Sequence, residues 1–207
     1  MIANANCSTI NLVNMHCFGR YIIALIGCAM PFLGWSQVSY TLKSHLVLVS
    51  GTSNLHDWTA RVEKMAGYSQ FVLDNGKITG INGTSFTLDA QSFVSSKGSI
   101  MDGEIEQALQ AKQYPQITYK PIKISAINEA GGKYRFVSTG ILTIAGTSQQ
   151  IDVDVICKVQ PNDDVEVAGT KKMKMTSYRI EPPTALFGAL TTADEFSVTF
   201  KLIMRPQ

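Results

Sequence analysis

The chain has 207 residues, of which 45% are hydrophobic and 16% charged. Its 18 basic and 16 acidic side chains leave a net charge of only +2, which argues against nucleic acid or an anionic membrane surface as the main partner. So much apolar material in a chain of this length supports one domain with a sizeable core.

Arg20 is the only charged residue before Lys43. It precedes an apolar run, Tyr21 to Leu33, too short to span a bilayer comfortably and of the length of a signal-peptide core. Gly34-Trp35-Ser36 puts small residues at the two positions that determine cleavage. Residues 1–36 are therefore expected to be removed between Ser36 and Gln37, leaving a periplasmic or secreted domain of residues 37–207. The same stretch has a second reading, because Leu25-Ile26-Gly27-Cys28 resembles a lipoprotein acylation motif in which Cys28 would carry the lipid. Cys7, Cys17 and Cys28 lie in this leader and only Cys157 lies beyond it, so the exported domain has no internal disulfide and must be held by its core. No later apolar run is long enough for a transmembrane helix.

From Val38 onward the chain reads mainly as strands. Asp74-Asn75-Gly76 is a hairpin turn signal, and Phe86 and Leu88 begin a short inward row. The stretch Ser96 to Tyr119 breaks the pattern. Ser99 is placed to cap a helix with Asp102 in its first turn. Met101, Ile105, Ala108 and Leu109 then form one apolar stripe, which predicts a helix from about Met101 to Ala111. Asp102, Glu104 and Glu106 complement its dipole and face water. Pro115 is expected to stop the helix before Ile117-Thr118-Tyr119 opens the next strand.

Ile122 and Ile124 continue a weak inward row, and Glu129-Ala130-Gly131-Gly132 is the next turn. Tyr134, Phe136, Gly140, Leu142 and Ile144 share one face, followed by the turn Ala145-Gly146-Thr147. Ile151, Val153, Val155, Cys157 and Val159 alternate with polar residues up to Pro161-Asn162-Asp163. Lys171, Lys172 and Lys174 read as a solvated, lysine-protected sheet edge. Phe196, Val198, Phe200, Leu202 and Met204 form the last inward row. A period of two with one apolar face means antiparallel, half-buried strands. About eight such strands, several of them long, favour an all-β fold: a single closed antiparallel barrel with a short helix near one end. An eight-stranded barrel is either filled by side chains or holds one small or slender ligand, and these inward rows admit only an apolar one.

Three stretches carry a family resemblance. Ser50-Gly-Thr-Ser-Asn-Leu-His-Asp-Trp58 resembles an early hairpin, Ser96 to Tyr119 a Ser-x-x-Gly-x-Met-Asp helix followed by a Tyr-Pro-x-Ile-x-Tyr strand, and Gly140-Ile-Leu-Thr-Ile-Ala-Gly146 a Gly-x-Leu-Thr-Ile-x-Gly strand, of the YceI-like family of exported bacterial polyisoprenoid-binding proteins. Pro182-Pro183 ahead of Gly188 and the final amphipathic strand fit the same pattern. The resemblance covers essentially Gln37 to Met204. It implies an elongated, lipocalin-like eight-stranded barrel whose interior holds a polyprenyl lipid or an isoprenoid quinone, with no cofactor. Thr52 to Trp58 departs from the Phe-x-Val-x-His pattern of the more widespread members, so head-group contacts in that region do not carry over.

The candidate lipid-binding positions are the inward apolar residues. They are Trp58, Phe71, Phe86, Leu88 and Phe93, with Ile105 and Leu109 from the helix, and Phe136, Leu142, Val155, Phe196 and Phe200. As core, the aromatics among them would simply fill the barrel, and composition does not separate the two roles. Of the two histidines beyond the leader, His45 and His56, the second adjoins Asp57 and could serve an enzyme acting on a lipid head group. Adjacent strand residues point to opposite faces, however, and no second His or Cys stands at ligand spacing. Cys157 among valines reads as an inert core residue. No nucleophile elbow, phosphate loop or zinc spacing occurs. Three readings stand on the sequence: a lipid-binding barrel, an enzyme using His56 and Asp57, and a filled barrel serving as an interaction module.

Overall fold

The computed structural model describes residues 36–185 and 190–207; the expected leader and Gly188 lie outside the described residues. In chain order the elements are β1 (Ser36–Ser53), β2 (Asp57–Val62), β3 (Met65–Asp74), β4 (Lys77–Asp89), β5 (Phe93–Ser95), α1 (Ser99–Ala108) and β6 (Gln116–Ile124). They continue with β7 (Asn128–Ala130), β8 (Lys133–Ile144), β9 (Thr147–Val159), β10 (Val165–Lys174), a 3-10 turn (Thr176–Tyr178), β11 (Thr184–Ala185) and β12 (Leu190–Pro206).

All the pairings are antiparallel, and eight strands close on themselves in the order β12-β10-β9-β8-β6-β4-β3-β1, with β1 returning to β12. The closing ladder runs from Tyr40 opposite Pro206 to Ser53 opposite Thr192. β2, β5, β7 and β11 are short additions to this barrel. Three hairpins turn in two residues with positive φ at both: Asn75 and Gly76 (49° and 77°), Gly131 and Gly132 (59° and 72°), Ala145 and Gly146 (46° and 73°). That geometry matches the right-handed twist of the flanking strands.

The inward rows expected from alternation are inward in the structure, with Ser138 added to the row of β8. One row is not continuous. Ile117, Tyr119 and Pro121 face the interior, but a register shift between Pro121 and Lys123 leaves Ile122 60% exposed and returns Ile124 to the core. The expected pairing of Ile122 with Ile124 on one face therefore fails, because a bulge inserts a residue and reverses the alternation.

One end of the barrel is closed by Tyr40, Ile78, Tyr134, Val165 and Met204, all 5% exposed or less. Tyr40 meets Phe71 edge-on at 4.9 Å between centroids. At the other end α1 packs Met101, Ile105, Ala108 and Leu109 against the core while Ile100 stands in solvent. Two expectations about this helix need correction. Ser99 is its first residue rather than its cap; Gly98, at φ 90°, precedes it, and Asp102 instead accepts the backbone N–H of Ser95 at 2.6 Å. The helix ends at Ala108, well before Pro115. Gln110 takes the left-handed conformation, and its N–H and that of Ala111 bond back to Gln107 and Glu106. This is a Schellman closure, in which backbone geometry ends the helix before any proline is needed.

Candidate functional site

Between the closed end and α1 lies a cavity of about 550 Å³. Its wall follows β12 from Leu190 to Leu202, roughly 30 Å of barrel axis at about 3.3 Å per residue and a tilt of about 40°. The space is therefore long and narrow, and its volume lies in the range of about 300–1,000 Å³ usual for ligand sites. The barrel is not filled. The structure places all the expected apolar positions on this wall: Trp58, Phe71, Phe86, Leu88, Phe93, Phe136, Leu142, Val155, Phe196 and Phe200 from the strands, with Ile105 and Leu109 reaching in from α1.

Several wall aromatics lie over a glycine on the neighbouring strand, among them Trp58 and Phe200. Gly51 is the cross-strand partner of Trp58, and a Cβ there would stand 2.5 Å from the indole Cζ2. Gly169 likewise faces Phe200, whose Cζ would lie 2.6 Å from an added Cβ. In both pairs the absent side chain lets an aromatic ring lie flat against the neighbouring strand, which supports a curved sheet without crowding its interior.

The interior polar groups are mostly matched to one another. Ser69 and Thr84 share a hydroxyl hydrogen bond of 2.8 Å. The Tyr119 hydroxyl donates to the Ser138 carbonyl at 3.0 Å and meets its Oγ at 2.8 Å; burial pushes the Tyr119 hydroxyl above its ordinary pKa. Cys157 is fully buried on the wall, and burial pushes its thiol up to about 12, so it is an unreactive thiol at neutral pH.

Near the helix the wall gains Ser53, His56, Lys97, Glu104 and Thr192. His56 belongs to a turn in which the Ser53 hydroxyl donates to its carbonyl at 2.7 Å and accepts its N–H at 3.1 Å. Asp57 is exposed and is not on the wall, since it alternates with buried Trp58. The adjacent pair is thus divided between two faces. Among the described residues no cluster of His, Cys, Asp and Glu could hold a metal.

Lys171 departs from its expected role. β10 is paired with β12 along its length, but its pairing with β9 ends at Thr170, so Lys171 to Lys174 do lie on a strand edge; Lys172 and Lys174 are exposed as expected, whereas Lys171 is half-buried on the cavity wall. The signal was present in the alternation, since Val165, Val167, Gly169, Lys171 and Met173 fall on one face.

The wall has a weak flank between β4 and β6. β4 and β6 pair only from Phe86 opposite Tyr119 to Asp89 opposite Gln116. Beyond that, residues 79–84 and 121–127 part around a cleft of about 430 Å³, and Ile81, Thr84 and Pro121 line both cleft and cavity. Pro121 has no N–H to offer a ladder there.

A YceI-like domain model matches residues 36–204. The chain belongs to the YceI-like domain family. No curated protein matches it. Among solved structures, this YceI-like barrel is similar to BcnA of Burkholderia cenocepacia, with 24% identity, a TM-score of 0.58, and coverage of 77% of this chain and 95% of that one. A polyisoprenoid binding domain from Saccharophagus degradans superposes with a TM-score of 0.63 at 13% identity, over 83% of this chain and all of that one (100%). The YceI protein of Campylobacter jejuni gives 0.54 at 15%, over 72% and 84%. At these identities the superpositions establish a shared barrel.

Proposed function

We propose that this protein is an exported binding protein that holds a long-chain apolar lipid, a polyprenyl lipid or an isoprenoid quinone, within its barrel. The observation that carries this reading is the long apolar cavity closed at one end and covered by α1 at the other. Burial of a tail there would supply roughly 0.8 kcal/mol per CH₂, less the cost of ordering the chain. The polyisoprenoid binding domain of Saccharophagus degradans, which shares the fold, supports the isoprenoid class. Export rests on the leader read from residues 1–36, and a periplasmic or secreted location follows from it. The separation of His56 from Asp57 favours binding over catalysis.

Organic extraction of the purified protein followed by mass spectrometry, together with uptake of a polyprenyl lipid and an isoprenoid quinone, tests the binding reading. About one lipid per chain is expected. A protein that is empty as isolated and takes up neither lipid overturns it. Export is checked by the mass of the processed chain in fractionated cells, expected to begin at Gln37.

A further inference from the structure

β4 and β6 run side by side over more of their length than they pair. Their ladder ends at Phe86 opposite Tyr119, although β4 reaches back to Lys77 and β6 on to Ile124. A closed barrel ordinarily leaves no such edges, because closure is what removes them. The irregularities of both strands fall within the parted stretch. In the β3–β4 ladder Tyr68 and Gln70 meet Ser85 and Asn82, and Val72 and Leu73 meet Gly80 and Ile78, so β4 carries an extra residue at each step. In the β6–β8 ladder the extra residue is Ile122. Bulges of this kind bend a strand and end its regular pairing.

Two residues write the gap into the sequence. Gly83 takes φ 47°, and a Cβ there would stand 2.8 Å from the Gln70 Oε1, so its bulge requires glycine. Pro121, on the facing strand, has no N–H with which to extend the ladder. The gap reaches the cavity: Ile81, Thr84 and Pro121, all half-buried, stand between the two and line both. On the outer side Asn82, Lys123 and Ser125 are exposed. A barrier one side chain thick therefore separates water from the apolar bore. Passage at the mouth is more demanding, since it undocks Met101, Ile105, Ala108 and Leu109 from the core and returns their apolar surface to water. Passage at the flank displaces three side chains and breaks no β4–β6 ladder bond.

We propose that the gap between β4 and β6 is a side portal, through which a long apolar chain enters and leaves the cavity while α1 stays docked. This rests on the lipid-binding reading and adds the route to it. A portal lowers the barrier to passage without holding the ligand. It therefore sets the rates of uptake and release together and leaves the amount bound at equilibrium unchanged.

The test bridges the gap covalently. Asn82→Cys/Lys123→Cys places one thiol on each lip, and a short bis-maleimide joins them. Cys157 stays unlabelled, being fully buried with its thiol pushed up to about 12. His56→Cys/Glu104→Cys, both at the mouth, is bridged in the same way. Thr170→Cys/Thr199→Cys, outward partners in the β10–β12 ladder, controls for bridging as such. Each variant is its own reference before bridging, and after capping with N-ethylmaleimide. The probe is an isoprenoid quinone, followed into the protein and out of it to excess phosphatidylcholine vesicles. Bridging the flank is expected to slow uptake and release alike by about tenfold or more, since a modest rise in a barrier already changes a rate by that factor. Occupancy at equilibrium should not change, and the mouth and ladder bridges should leave both rates as they were. If the flank bridge leaves the rates unchanged, or slows them no more than the mouth bridge does, the portal is refuted while lipid binding stands. A protein that takes up no quinone before bridging refutes both.

Discussion

Asp164 shows what a single side chain does for the closed end of this barrel. It is 3% exposed and sits in the turn between β9 and β10, where it accepts from Lys43 at 2.7 Å and from Asn162 at 3.0 Å, with Arg205 at 3.8 Å. It thereby ties that turn to β1 and β12 beside the floor formed by Tyr40 and Met204. The hydrogen bond from Lys43, with that from Asn162 and the two nearby cations, holds its carboxyl below the usual carboxylate range. Its stabilising contribution is then complete above the unfolded carboxyl's pKa of about 3.9 and is lost as pH falls through the lower folded value. Asp164→Asn should therefore be less stable than wild type at neutral pH, with the difference shrinking below about pH 4. Denaturant melts from pH 7 to pH 2 check this, and a constant difference across that range would contradict it. Residue by residue, the sequence exposed size and polarity but not partnership. Cys157 among valines was legible as inert, whereas the unmatched N–H of Trp58 is visible only once its neighbours are in place.

At the scale of elements, α1 is the part whose role is open to direct test. Leu109 lies both on the cavity wall and against the core, so Leu109→Asp sets a carboxylate against apolar surface. A loss of about 2 kcal/mol is expected from the forfeited burial, and more where the charge remains desolvated. Lipid should also dissociate faster, because the contact that stabilises the helix covers the cavity. Gln107→Asp, on the exposed side, is the control. Thermal midpoint and lipid off-rate measured together decide the point; equal behaviour of the two variants would remove α1 as a lid. Strand faces, hairpin turns and the existence of this helix were legible because each follows from spacing within about ten residues. The bulge at Pro121–Lys123 and the left-handed Gln110 were not, since both depend on how the chain meets a neighbouring strand or closes a helix end. The inward lysine illustrates a related point: three nearby lysines suggest one patch, although alternation sends the first to the opposite face.

For the molecule as a whole, closure of β1 on β12 and the floor of Tyr40, Ile78, Tyr134, Val165 and Met204 give the cavity a fixed depth. Affinity for prenyl probes with one head should rise by about tenfold or more per added isoprene unit while the tail still gains buried carbon, then level off once it reaches the floor. Binding constants across a chain-length series measure this, and a rise that continues without a plateau would show that the floor yields. Overall architecture was the most legible level, because an even number of long, one-faced strands has few ways to hide its edges.

The parted flank between β4 and β6 gives this cylinder the mechanics of a slit tube. A fully laddered barrel widens only by breaking hydrogen bonds along its length, whereas here residues 79–84 and 121–124 have none between them to break. Dilation can hinge on β3 and β8 and cost only the repacking of Ile81, Thr84 and Pro121. The bore can then widen locally along this seam while the paired ladders beside it keep their register.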